Sequence, residues 1–220
     1  GTFELALLTS SLTTSSYTAA TGVAPTGSDV DNNFPKVEAA WMLKFGSFDI
    51  RPFGGFQYFK VSEGASALTD DLDVYSYVVG LDGMVNIGAF YIGAQGSYGI
   101  NWNNANWSSS LIGGTAGSFA VLDGTDDVKD TESWMALLVA GLKFTPTLKF
   151  EVGAGYRSDD PDVSGVDADE MWSVYGQVVI TLAPGVYLIP EAGYIDNMDD
   201  FAGDDQGYSW YAGAKWQIDF

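Results

Sequence analysis

The stretch Tyr208-Ser-Trp-Tyr-Ala-Gly-Ala-Lys-Trp-Gln-Ile-Asp-Phe220 is apolar at every second position. Tyr208, Trp210, Ala212, Ala214, Trp216, Ile218 and Phe220 fall on one side of an extended chain; Ser209, Gly213, Lys215, Gln217 and Asp219 fall on the other. Successive side chains of a strand point to opposite faces, so one face suits hydrocarbon and the other suits water. Aromatics near both ends of the apolar side complete the pattern of a strand in a transmembrane β-barrel.

The same alternation recurs upstream. Val37, Ala39, Trp41, Leu43 and Phe45 oppose Glu38, Ala40, Met42 and Lys44; Trp134, Ala136, Leu138, Ala140, Leu142 and Phe144 oppose Ser133, Gly141 and Lys143. Ten strand-like segments follow, over 2–12, 35–46, 48–61, 73–86, 88–102, 132–145, 147–158, 169–183, 186–196 and 207–220. Short connections (Gly46-Ser47, Asn86-Ile87-Gly88, Thr145-Pro146-Thr147, Ala183-Pro184-Gly185) alternate with long ones over about 13–34, 62–72, 103–131, 159–168 and 197–206. The short ones carry the residues that reverse a chain tightly. Strict alternation sorts tight turns to one end of the sheet and long loops to the other, as in outer-membrane barrels. Aromatics near segment ends (Trp41, Phe45, Trp102, Trp134, Phe144, Trp172, Tyr194, Tyr208, Phe220) read as interfacial girdles.

Composition narrows the function. The 220 residues suffice for one all-β domain spanning 1–220. A net charge of -20, from 9 basic and 29 acidic residues, argues against a nucleic-acid partner. No apolar run approaches the ~18 residues of a membrane helix. The sequence has neither Cys nor His, which removes thiolate chemistry, a Ser-His-Asp triad and most zinc sites, so no enzyme, metal or cofactor is expected. No secretory leader opens it; an outer-membrane protein is made with one, so the chain reads as mature or truncated.

Segments such as Pro35-Lys-Val-Glu-Ala-Ala-Trp, Phe48-Asp-Ile-Arg-Pro-Phe-Gly-Gly-Phe-Gln-Tyr, Asp73-Val-Tyr-Ser-Tyr-Val-Val-Gly-Leu-Asp-Gly-Met-Val-Asn-Ile-Gly and Gly213-Ala-Lys-Trp-Gln-Ile-Asp-Phe220 resemble the carboxy-terminal part of Gram-negative outer-membrane porins, particularly the general porin-like proteins of sulfate-reducing and related bacteria. The resemblance lies in strand pattern and covers most of the chain. It implies an integral outer-membrane antiparallel barrel, often trimeric, passing ions and small hydrophilic solutes. It also implies contact with outer-membrane lipid and a terminal Phe220 read by the outer-membrane assembly machinery; separately, the acidic loops offer sites for divalent cations that bridge to lipopolysaccharide. Porins of that kind have about 16 strands, so two readings stand: a closed ten-stranded barrel, or the carboxy-terminal portion of a larger one.

The polar face supplies the candidate pore-lining residues: Glu38, Lys44, Asp49, Arg51, Asp82, Lys143, Lys149, Glu151, Arg157, Glu191 and Lys215, with Asp219 beside them. Rings of both charge signs set a preference among ions. Acidic loop residues (Asp29, Asp31, Asp70, Asp71, Asp73, Asp123, Asp126, Asp127, Asp130, Asp159, Asp160, Asp162, Asp199, Asp200, Asp204, Asp205) would give one mouth a negative potential and a weak cation preference. Asp29-Val-Asp-Asn-Asn33 begins like a calcium loop, but Phe34 replaces the required Gly. The alternative to a channel is a non-conducting structural or adhesive barrel acting through its acidic loops, its lumen blocked by pairing among Arg51, Lys149, Glu151 and Arg157. The 103–131 loop either constricts the lumen or caps the outside; its sequence fits both.

Overall fold

In the computed structural model, which describes residues 1–9, 29–31, 34–62, 70–107, 117–123 and 127–219, the chain is almost wholly antiparallel sheet. In chain order the strands are β1 (Thr2–Leu8), β2 (Asp29–Asp31), β3 (Lys36–Phe45), β4 (Phe48–Ser62), β5 (Leu72–Ile87), β6 (Phe90–Ile100), β7 (Val121–Asp123), β8 (Asp127–Lys129), β9 (Thr131–Thr145), β10 (Leu148–Pro161), β11 (Asp169–Ala183), β12 (Val186–Asp196) and β13 (Tyr208–Ile218). A 3-10 turn spans Trp102–Ala105. Ten strands run up and down in the order β1-β3-β4-β5-β6-β9-β10-β11-β12-β13, each beside its neighbour in sequence; β2 pairs with β4, and β7 with β8. Each interior strand spends its backbone hydrogen bonds on two neighbours, the arrangement a hydrocarbon surrounding requires.

Among the described residues β1 pairs only with β3 and β13 only with β12, so the sheet is open there. The closed ten-stranded barrel is therefore not the arrangement of these residues. The edges are bare: Tyr208 and Trp210 on β13 are 68% and 75% exposed.

The short connections lie at one end and the long ones at the other, and the turns have a local cause. Gly46 (φ 65°) and Gly185 (φ 77°) take left-handed conformations that a Cβ would disfavour. Phe45 and Phe48 stack beside the first of these turns, ring centroids 6.1 Å apart.

Register divides the residues into two faces. Phe3, Trp41, Ile50, Leu81, Ile92, Leu138, Val152, Val174 and Trp210 share one face. Mid-wall aliphatics there are wide open, Val79 and Leu138 at 55% each, which suits lipid and not water. Near the loop end this face carries a chain of touching aromatics: Trp134 on Tyr156 (4.7 Å), Trp172 on Tyr194 (5.1 Å) and Tyr194 on Tyr208 (5.6 Å). Phe45, Phe90, Phe144 and Trp216 stay exposed towards the other end. The membrane-spanning stretches lie between these two girdles.

Trp102 is not part of a girdle. Strand β6 ends at Ile100, Asn101 takes a left-handed conformation (φ 52°), and the chain swings Trp102 onto the polar face, where it is 3% exposed. Phe220 lies outside the described residues, as do Asp126 and the side chains of Asp29 and Asp123. Asp29–Asp31 forms a strand against Lys60–Ser62.

Candidate functional site

The polar face is set by the strand ladder. All eleven candidates occupy it: Glu38 and Lys44 on β3, Asp49 and Arg51 on β4, Asp82 on β5, Lys143 on β9, Lys149, Glu151 and Arg157 on β10, Glu191 on β12 and Lys215 on β13. Register pairs Lys44 with Asp49, Arg51 with Asp82, Lys143 with Lys149, and Glu191 with Gly213.

Their charges pair along the wall. Arg51 reaches Asp82 on the next strand (2.7 Å), Lys149 reaches Glu151 (3.2 Å) and Arg157 reaches Asp159 (2.7 Å), the last two being two residues apart on one strand. Lys36 and Glu38 form a fourth pair at 2.9 Å. The blocking network expected of Arg51, Lys149, Glu151 and Arg157 is absent among the described residues, because each cation finds its carboxylate within the same or the adjacent strand.

Aromatics hold these cations flat. Lys36 lies over Trp107, Arg51 over Phe53, Lys149 over Tyr91 and Arg157 over Trp102, all between 5.1 and 5.9 Å from the ring centre. Several rings lie across a glycine directly opposite in register: Phe53 on Gly80, Tyr91 on Gly141, Tyr175 on Gly153 and Tyr211 on Gly193. A Cβ at any of those glycines would collide with the ring. The tyrosines so placed deliver hydroxyls to carboxylates: Tyr91 and Tyr175 donate to Glu151, and Tyr211 to Glu191. Gln177 also donates to Glu151.

The long connection after β6 folds inward. Trp102, Asn103, Asn104 and Ala105 are all buried. Trp107 donates its indole N–H to Glu38 Oε1 (2.7 Å) and covers Gly55, while Lys36 donates to the Ala105 carbonyl (3.0 Å). On the opposite flank, Ser118 Oγ accepts from the Trp102 N–H (2.9 Å) and meets Ser133 Oγ (2.5 Å), which donates to Asp159 Oδ1 (2.6 Å). Asn101 Nδ2 donates to the Tyr75 carbonyl and to Asp130, and its Oδ1 accepts from the Thr131 N–H. Above this knot Phe59, Val61, Leu72 and Val74 make a small apolar core with Ala120, flanked by Val30 and Val128. The polar face thus turns apolar at the loop end, and the inward chain covers it.

Between the loop and the wall lies a cavity of about 420 Å³, bounded by Trp102 and Trp107 on the loop and by Glu38, Arg51, Phe53, Gln95 and Met135 on the wall. On the mouth side of the aromatic girdle, burial pushes the Asp169 carboxyl up to about 6, helped by the nearby Asp159 and Asp200 carboxylates. Its Oδ2 is buried without a hydrogen-bond partner among the described residues.

The alternation, which set Ser133 opposite the apolar face, missed Lys36, Trp107, Ser118, Tyr91 and Tyr211, and put Trp102 in a girdle. A signal existed for the two tyrosines: Tyr91 and Tyr211 are aromatics at positions where the alternation calls for polar or small side chains.

An apolar outward surface, a charged opposite face and loops sorted to one end give the chain the fold of a porin-like outer-membrane β-barrel. No family model matches the chain, and no curated relative matches it in sequence. Its structure is similar to that of the outer membrane channel DcaP of Acinetobacter baumannii, with TM-score 0.71 and 17% identity over 89% of this chain and 54% of that one. It is similar also to outer-membrane expressed OmpT of Vibrio cholerae, with TM-score 0.51 and 15% identity over 86% of this chain and 56% of that one. The chain therefore spans about half the length of the solved structures it matches.

Proposed function

We propose that the chain forms the wall and constriction of a passive outer-membrane channel for ions and small hydrophilic solutes. One observation carries the reading: charged side chains of the inner face pair along the wall, leaving a cavity of about 420 Å³ beneath the inward loop. The loop narrows the lumen through Trp102 and Trp107, and solutes pass beside it. Further strands complete the wall at the edges of β1 and β13. The acidic long-loop mouth gives a weak cation preference, screened within ~8–10 Å at physiological salt. The exposed aromatic and aliphatic face meets outer-membrane lipid or a neighbouring copy in a trimer. The acidic loops meet lipopolysaccharide through divalent cations, and Phe220 serves the assembly machinery. Catalysis is no part of this reading: a sequence without His or Cys has no Ser-His-Asp triad and no thiolate nucleophile.

The test is single-channel current across a planar bilayer, with native protein purified from membranes and its intact mass taken on the same sample. Conductance steps with a cation-biased reversal potential are expected. A silent bilayer would sink the channel reading and leave a non-conducting barrel acting through its loops.

A further inference from the structure

The nine basic residues are unevenly committed. Towards the long-loop end, Lys36, Lys60, Lys129 and Arg157 each pair with a carboxylate, as Arg51 does at mid-wall and Lys149 towards the turns. The three that form no ion pair among the described residues are Lys44, Lys143 and Lys215. All three occupy the polar face in its turn-side half and are exposed. Lys44 lies two residues before Gly46; Lys143 lies beside Lys149 at the Pro146 turn; Lys215 pairs in register with Ile189, four residues beyond Gly185. Among the described residues, Asp49 and Asp219 are the carboxylates nearest that end outside the Lys149–Glu151 pair. At the other end the described connections carry Asp70, Asp71, Asp130, Asp162, Asp167, Asp199, Asp200, Asp204 and Asp205, with Lys129 the only base among them, and that already paired with Asp127.

We infer that the channel is electrically polarised along its axis, and that Lys44, Lys143 and Lys215 form a second, anion-facing selectivity element at the short-turn mouth. This rests on the channel reading above. The acidic mouth concentrates cations and the lysine mouth concentrates anions. When the loop side is positive, cations enter from the end that collects them and anions from the end that collects them, so both carriers accumulate and the current is large. Reversed polarity draws each carrier through the mouth that repels it, and the current is small. The pore rectifies, passing more current with the loop side positive.

The experiment is the current–voltage curve of single channels of the native protein in 0.1 M and 1 M KCl. Orientation is fixed with the variant D204C: these 220 residues hold no other cysteine, so a membrane-impermeant charged thiol reagent reports which compartment the loops face. Rectification of about twofold is expected at 0.1 M, fading at 1 M as the Debye length falls from ~10 to ~3 Å. The triple variant K44Q/K143Q/K215Q should lose most of it and shift the reversal potential towards stronger cation preference. The single variants stand in if the triple one does not reach its heat-modifiable folded form. A symmetric curve in the unmodified protein, or unchanged rectification in the variants, overturns the inference while leaving the channel intact. Absence of any current overturns the channel reading itself, and the inference with it.

Discussion

Trp107 donates its indole N–H to the Glu38 carboxylate at 2.7 Å, tying the connection after β6 to a strand that precedes it by 69 positions. Lys36 reinforces the tie, lying over the same ring, pairing with Glu38 at 2.9 Å and reaching the Ala105 carbonyl. A hydrogen bond to a charged acceptor contributes ~1.5–3 kcal/mol net. The loop is thus held across the inner face by a bond whose loss should register in conductance before it registers in the wall.

Removing the side chain tests this. Trp107→Ala is expected to raise single-channel conductance without changing heat-modifiable migration, since the ring rests on side chains and a glycine of β3 and β4 and takes no part in their backbone ladder. Trp107→Phe keeps most of the bulk and loses only the donor, so a smaller rise and noisier open-channel current should follow. Equal conductance in all three proteins would show that the loop does not narrow the path.

Ser133 is the hinge of the opposite anchorage. Its hydroxyl joins Ser118 on the loop to Asp159 on the wall and is fully buried. Ser133→Ala should cost ~1–3 kcal/mol by leaving buried acceptors short of a donor. Thermal unfolding followed by tryptophan fluorescence reads this, with Trp102, whose backbone N–H donates to Ser118 Oγ, among the reporting residues.

Asp169 makes the loop mouth pH-sensitive. Its carboxyl titrates at about 6 when folded against an ordinary 3.8. Below pH 3.8 it is neutral in folded and unfolded chains alike; between the two values only the unfolded form is ionised. Above about 6 both are ionised, and the fold carries the full penalty of a buried charge near Asp159 and Asp200. This residue's contribution therefore falls as pH rises from about 4 to 6. Unfolding temperatures at pH 5 and pH 8 should differ less in Asp169→Asn than in the unmodified protein; an unchanged difference would assign the pH effect elsewhere.

The glycine opposite Tyr91 is a seat for the ring. Gly141→Ala would push Tyr91 off the wall and break its bond to Glu151. A destabilisation of ~1–3 kcal/mol is expected, against ~0.5–1.5 for Tyr91→Phe, which loses only the hydroxyl. Equilibrium unfolding in urea from detergent or lipid distinguishes the two.

The wall was readable in the sequence because a strand repeats every two residues. Val37 to Phe45, Trp134 to Phe144 and Leu148 to Tyr156 each declare their face without help from the rest of the chain. The loop's direction was not readable, because Trp102 to Trp107 has no periodicity and its seat is built from distant strands. Its one advance signal lay in Phe59, Val61 and Val74, apolar residues at polar-face positions, which predict a cover. Trp102 misled for a related reason: it continues the alternation of β6 by one step, and only the left-handed Asn101 ends that strand. Ion-pair partners were hidden too. Spacing along the chain puts Lys149 and Glu151 on one face, but Arg51 meets Asp82 only once the register of β4 on β5 is set.

The outward face asks little of its residues. A position such as Leu138 or Val79 has to be greasy and nothing more, because lipid is fluid and adapts to whatever shape it meets. Interchange among Leu, Val, Ile and Phe there is almost free, and selection acts on the alternation and not on the identity of each residue. Such a wall can share only 17% identity with DcaP and still follow a similar path through space.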